Sequence, residues 1–287
     1  NHSNKNWVTN QYDQNVMCDT IQKSGSDSAI IRIHNKDKAI AVSVDSSANY
    51  CKSHPLTGGK QIVCENWRNL ITVGAKPLAI TNCLNFGNPE NEKVMGEFAE
   101  CLEGIKEACE FLNYPVVSGN VSFYNGTNKK NIDPTPVIGG VGLINKLTKP
   151  IGHNFKRDNS VIILLGKTFG HLEQSCFLKE NYSIIDGMPP EVNLLNEKNN
   201  GEIVLKLIQN DLVLSSHDIS SGGLIVALSE MAISSNYGVK VQKPKKLSNL
   251  FQYFFGEDQG RYILEIDPKY SQIVEKTLKE NSIYYEN

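Results

Sequence analysis

Several oxygen-bearing side chains sit where apolar runs stop. Asp45 follows the run Ala39 to Val44, Glu65 and Asn69 lie four residues apart in a helical pattern, and Asp218 precedes Ser220-Ser221-Gly222-Gly223. Hard oxygens of this kind suit Mg²⁺, which takes one or two carboxylates together with phosphate and water. Taken singly, each also reads as a solvated surface group, and Asp218 as a helix N-terminal device. A second chemical stretch runs from Pro115 to Gly142. Val116 and Val117 stop at Ser118-Gly119-Asn120-Val121-Ser122, a polar loop with Gly126 and Asn128 follows, and Pro134-Thr135-Pro136 leads into Val137 to Ile144. Strand, polar elbow, loop and strand is a layout in which backbone can approach a ligand. Gly119 lifts the Cβ barrier to unusual φ values, and Asn120 and Ser122 offer compact oxygens. An ordinary β-turn rich in Gly and Asn accounts for the same residues.

Gly58-Gly59 and Gly222-Gly223 each open a helical pattern, where backbone N–H groups and the helix dipole could hold phosphate. The chain has no Walker motif and no G-x-G-x-x-G, so any nucleotide is held by another route. His217 beside Asp218 invites a general-base role, but no matching Ser or Cys nucleophile accompanies it. A hydrogen-bonded structural histidine is the competing reading, and no catalytic residue is assigned. Phe254 to Gln259 reads as a surface turn.

Positioning elements follow from periodicity. Residues 1–24 form a lead-in arm, with a helical turn expected near Tyr12 to Met17. Ala29–His34 and Ala39–Val44 predict a hairpin around Asn35–Lys38. Ile62, Val63, Leu70 and Ile71 mark a helix ending at Gly74, Leu78–Cys83 a strand, and Val94 to Leu112 a long amphipathic helix ending at Asn113. Residues 25–150 thus read as one α+β domain, with a boundary over Lys146–Asn159 and a second α/β domain from 151 to 287. In that second part the pattern predicts strands at Val161–Leu165, Leu212–Leu214, Val239–Val241 and Tyr262–Ile266. Helices are predicted over Ile203–Ile208, Leu224–Ala232 and Lys269–Lys279, with 166–200 irregular.

The 287 residues carry 29 basic and 31 acidic side chains, so no net charge steers the chain toward nucleic acid or anionic membrane, and neither is expected as a partner. No apolar run reaches the ~20 residues of a membrane helix. Seven cysteines without zinc spacing read as free thiols of a cytoplasmic protein.

The stretches WVTNQYD, GSDSAIIRI, GGKQIVCENWRNLITVGAKPLAITNCLNFGNPE, SGNVSFYN with PTPVIGGVGLI, HDISSGGLIVALSEMA and FGEDQGRYILEI resemble, in order, the C-terminal half of the phosphoribosylformylglycinamidine synthase family. The family is similar to aminoimidazole ribonucleotide synthetase and selenophosphate synthetase. The resemblance implies two α/β domains, with paired N-terminal domains forming a shared β-barrel. It also implies an ATP- and Mg²⁺-dependent synthase of purine biosynthesis that uses glutamine-derived ammonia. The amide oxygen of formylglycinamide ribonucleotide would be phosphorylated so that ammonia can displace phosphate and leave an amidine.

By the same resemblance Gly119 touches ATP, Asn120 ligands Mg²⁺ and Ser122 contacts substrate. Asn82 stands where the family has an ATP-contacting Asp. Asp45, Glu65, Asn69 and Asp218 match the metal ligands of a second, non-reacting ADP with Mg²⁺. The implied partners are the first half of the synthase or a second copy, a glutaminase subunit and a small adaptor subunit. The family's first half, with its catalytic histidine, is absent from this sequence, so the chain is expected to be a synthase fragment inactive alone. A self-sufficient homodimeric enzyme and a non-catalytic scaffold are the rival expectations.

Overall fold

The computed structural model describes residues 6–11, 15–23, 25–128, 130–147, 150–242 and 249–287. A short α1 (Asn6–Thr9) and a 3-10 turn at Val16–Cys18 lead to β1 (Thr20–Gln22). The turn expected near Tyr12–Met17 lies partly outside the described residues. The hairpin forms as β2 (Ala29–Arg32) and β3 (Ala39–Asp45), antiparallel, with Ala29 opposite Val42. Then come α2 (Ala48–Ser53), α3 (Pro55–Thr72), β4 (Lys76–Asn85), α4 (Glu92–Leu112) and β5 (Val116–Ser122). A two-residue pair, β6 (Gly126–Thr127) and β7 (Lys130–Asn131), precedes β8 (Thr135–Ile144). These strands make a six-stranded open sheet in the order β1-β2-β3-β8-β4-β5, antiparallel except between β4 and β5. It is not a closed barrel.

The second sheet uses β9 (Val161–Leu165), β10 (Ser215–Asp218), β11 (Tyr262–Ile266) and β12 (Tyr285–Glu286) in the antiparallel order β10-β11-β9-β12. Around it lie α5 (Cys176–Tyr182), α6 (Leu194–Gln209), α7 (Gly223–Ile233), α8 (Leu250–Phe255) and α9 (Ser271–Glu280).

Helix α3 organises both parts. It starts at Pro55, not at Gly58, because Pro suits the first helical position and the His54 side chain caps the Thr57 N–H. Gly58 and Gly59 therefore lie inside the helix, and their bare backbone serves packing. A Cβ on Gly59 would overlap the Cys101 carbonyl of α4, and one on Gly104 of α4 would overlap the Leu56 carbonyl. The phosphate reading of Gly58-Gly59 is thus overturned. Buried Ile62, Val63, Trp67, Leu70 and Ile71 of α3 share one core with Ile30, Ile80 and Ile138 of the first sheet and with Val204, Leu207, Tyr262 and Leu264 of the second part.

Other expectations shift. The helix expected over 203–208 is the last part of α6, and the strand expected at Leu212–Leu214 moves to β10. Leu212 is drawn into the helix end, its N–H bonding Leu207 O. Val239–Val241 form no strand, and the irregular stretch contains α5, capped by Ser175. Residues 254–259 are no surface turn: Glu257 and Asp258 are buried, and Asp258 accepts the N–H groups of Phe169, Gly170 and His171.

Candidate functional site

A cavity of about 830 Å³ opens where the end of β3 meets the end of β10, and Asp27, Asp45, Asn69, His217, Asp218 and Ser220 line it. Asn69 reaches it from a polar stripe on α3, where Gln61, Glu65, Arg68, Asn69 and Thr72 recur at three- and four-residue spacing, which stacks them on one face. The structure therefore brings Asp45, Asn69 and Asp218 to one cavity, with Glu65 one turn before Asn69.

The oxygens of Asp45 are already engaged. Oδ1 accepts from Asn69 Nδ2 at 2.7 Å, and Oδ2 accepts from Asn66 Nδ2 at 2.7 Å and Ser43 Oγ at 2.8 Å. Glu65 accepts from the Gln61 side chain. Asp218 faces Arg68 Nε at 3.5 Å, while the same guanidinium donates to Glu197 at 2.8 Å and to Gln259 at 3.1 Å. These carboxylates repel one another in a poorly solvated place. Burial, then the Glu65 charge, pushes Asp45 up to about 7. Burial, then Asp218, pushes Glu65 up to about 7, and burial, then Asp27, pushes Asp218 up to about 6.

Asp27 is a member that the sequence reading does not single out. Its Oδ1 lies 2.8 Å from His217 Nδ1, and His217 Nε2 lies 3.2 Å from Glu230. Burial opposes charge on both partners, but each holds the other ionised: Asp27 ends below the usual carboxylate range and His217 well above the usual imidazole range. Asp27 Oδ2 is buried and accepts no hydrogen bond among the described residues. Ligand atoms of Asp27, His217 and Asp218 all lie within 4.8 Å of one another. An orphaned buried carboxylate oxygen beside acids held above their usual range is the donor set that a divalent cation satisfies. His217 is thereby a charge partner of Asp27, which favours its structural reading over the general base.

The second candidate set lies along β4 and β5. Residues 118–122 are not an elbow; they continue β5, parallel to β4, and the chain turns only after Ser122. Gly119 needs no unusual φ. A Cβ at Gly119, opposite Asn82, would overlap only Asn82 Oδ1, the movable end of that side chain. Ile138 of β8 pairs with both Asp45 and Asn82, so Asp45, Ile138, Asn82 and Gly119 form one row across four strands. Strand alternation puts Asn120, opposite Cys83, and Ser122, opposite Asn85, on the other face of the sheet. Ser122 Oγ accepts from Asn125 Nδ2 at 3.1 Å. The residues expected to contact ATP and substrate along this edge of the sheet, its rim, therefore do not share one face.

Residues 25–144 match the N-terminal domain of AIR synthase related proteins, and residues 157–286 match the C-terminal domain of the same proteins. The chain belongs to the AIR synthase related family. It is 54% identical over its whole length to phosphoribosylformylglycinamidine synthase subunit PurL of Pelagibacter ubique (strain HTCC1062), of which it spans 39%. Among solved structures it is similar to PurLQS from Thermotoga maritima, at 25% identity and a TM-score of 0.67, over 93% of this chain and 39% of that one. It is also similar to T. maritima PurL complexed with AMPPCP, at 25% identity and a TM-score of 0.65, with the same coverage.

Within the family's N-terminal domain, Arg68 also escapes the sequence reading. The signal is the polar stripe itself, since charged residues recurring inside an otherwise buried helix must find partners. Gly222 stands at the start of α7 as expected, but its N–H is taken by Glu257 Oε1 at 2.7 Å, so this helix start is already supplied with an anion.

Proposed function

We propose that the chain is the second half of a phosphoribosylformylglycinamidine synthase, an ATP-dependent amidine-forming ligase of purine biosynthesis. Two regions would carry two tasks. The cavity would hold a nucleotide diphosphate with Mg²⁺, bound by Asp27 and Asp218 with Asp45, Glu65 and Asn69 around them. When bound, Mg²⁺ would offset negative charge on phosphate. The single observation that carries this reading is the buried, unpartnered Asp27 Oδ2 among carboxylates raised to about 6 and 7.

The rim would serve the reacting ATP. Gly119 and Asn82 would meet the nucleotide, Asn120 its Mg²⁺, and Ser122 the formylglycinamide ribonucleotide. Asn82 keeps a donor and an acceptor there but brings no charge. Amide groups and backbone placed in advance would orient the phosphoryl group and favour charge development there.

The open sheet face supports a shared barrel with the first half or a second copy, since Ile31, Val44 and Val141 lie exposed on it. PurLQS from T. maritima is named as an assembly; here a glutaminase and a small adaptor would be the remaining partners. We keep 1–24 as an arm, 25–150 and 151–287 as the two domains, and the cytoplasm as the location. No helix among the described residues is long and apolar enough to cross a membrane.

The test is to denature the purified protein and chromatograph the supernatant for released adenine nucleotide. Near one ADP per chain supports the cavity reading. No nucleotide, even after incubation with ATP and Mg²⁺, overturns it and leaves a scaffold that only completes a barrel. Separately, amidine formation by this chain alone with ATP and ammonia would show a self-sufficient enzyme.

A further inference from the structure

Glu257 is 2% exposed and stands outside the cavity lining, yet it joins the segments that carry Asp45 and Asp218. Its Oε2 accepts from Tyr50 Oη at 2.7 Å. Tyr50 belongs to α2, on the stretch leaving Asp45. Glu257 Oε1 accepts from Gly222 N at 2.7 Å, on the stretch leaving Asp218, and from Cys176 N at 2.7 Å. One carboxylate thus ties the chain after β3 to the chain after β10.

The loop that presents Glu257 is itself held rigidly. Glu257 N donates to His171 O at 2.9 Å, and Asp258 takes three backbone N–H groups. Gln259 Oε1 accepts from Arg68 Nη2 at 3.1 Å, and Arg68 Nε faces Asp218. Residues 257–259 therefore reach Asp218 by two routes: through Gly222 along the backbone and through Arg68 in space. Both oxygens of Glu257 are engaged in these contacts, so its part is to fix where other groups stand. Outer-shell partners of this kind orient ligands, and their removal typically weakens metal binding.

We propose that Glu257 is a positioning residue that sets the separation of the Asp45 and Asp218 segments, with Tyr50 as its counterpart on the first domain. The proposal rests on the cavity being a divalent cation site. It separates position from charge: an amide at 257 can still accept from Gly222 N and Cys176 N while donating to Tyr50 Oη, so the geometry survives without the charge.

The test uses Mn²⁺ as the probe, with affinity measured by calorimetry and thermal stability measured in EDTA. Tyr50→Phe should weaken Mn²⁺ binding about tenfold, Glu257→Ala at least as much, and Glu257→Gln should stay within about twofold of the parent. Tyr253→Phe is the control: Tyr253 Oη donates to Glu286 at 2.8 Å, a bond of the same kind away from the cavity. It should lower the melting temperature and leave Mn²⁺ affinity alone. If Tyr50→Phe behaves like that control, Glu257 only glues the interface and the proposal falls. If Glu257→Gln loses as much as Glu257→Ala, the charge matters and positioning is overturned. If the parent chain binds no Mn²⁺, the cavity reading itself fails and takes this inference with it.

Discussion

One row of residues across the first sheet begins in the cavity at Asp45 and ends on the rim at Gly119, and its two ends are made of opposite materials. At Asp45 the side chain is half-buried and held by Asn66, Asn69 and Ser43, and it stands against other acids. At Gly119 and Asn120 the strand is exposed, and its polar atoms face solvent. A region that must hold surplus charge in a dry place needs every group wired, because partly satisfied buried networks are costly. A region that meets its ligand from outside needs only backbone room and a few amides. The cavity is therefore stiff and sensitive, the rim tolerant and open.

Removing the cation that the chain itself supplies should break the cavity first. Arg68→Met leaves Glu197 and Asp218 buried without their partner, and we expect a loss of about 3–5 kcal/mol by urea unfolding. A loss under about 1 kcal/mol would put the cavity on the same footing as the rim.

The next effect is pH-dependent. Asp45 and Glu65 rise from ordinary values of 3.8 and 4.5 to about 7 in the folded chain. The folded state then binds more protons than the unfolded state between roughly pH 4 and 7, so stability falls as pH climbs through that window. The Glu65 charge helps to raise Asp45, so the two shifts are shared rather than summed. The fall in EDTA should match one of them, roughly 3–4 kcal/mol, and Mg²⁺ should flatten it. A melting temperature independent of pH over this range, with or without Mg²⁺, would remove the contrast between the regions.

Two glycines sharpen it further. Gly59→Ala drives a methyl into the Cys101 backbone carbonyl and should destabilise by about 1–3 kcal/mol. Gly119→Ala meets only the movable end of Asn82 and should lose under about 1 kcal/mol, while weakening ATP binding measured on the assembled synthase. Smallest of all, Asn82→Asp should shift stability by no more than about 0.5 kcal/mol and leave Mn²⁺ affinity in the cavity unchanged. A change in that affinity would show that the two ends of the row are electrically joined.

Much of this arrangement was legible in residue order. The hairpin, the long helix capped by Asn91 and Asn113, and β11 follow from local periodicity and capping, which act over a few residues. Asp45 and Asp218 could be singled out because strand ends carrying oxygens are visible along the chain, and Asn69 because it falls one turn after Glu65 in a helical pattern. What escaped depends on distance in space. Asp27 gains meaning only when His217 arrives beside it, and Glu257 looked like surface until Tyr50, Cys176 and Gly222 closed around it. The supposed elbow at Ser118–Ser122 failed for a related reason: pairing with β4 overrides the weak strand preference of Gly and Asn.

Helix α3 serves two cores at once, and this bears on how the chain reaches its native state. Its apolar side completes the first sheet, while Trp67 is packed so tightly on α6 that a Cβ on Gly201 would overlap the indole. Neither family domain can then be finished before the other has at least collapsed against the helix. Denaturation should show a single cooperative transition rather than two, and a cut between 144 and 157 should yield pieces that aggregate when separate and recover structure only when refolded together.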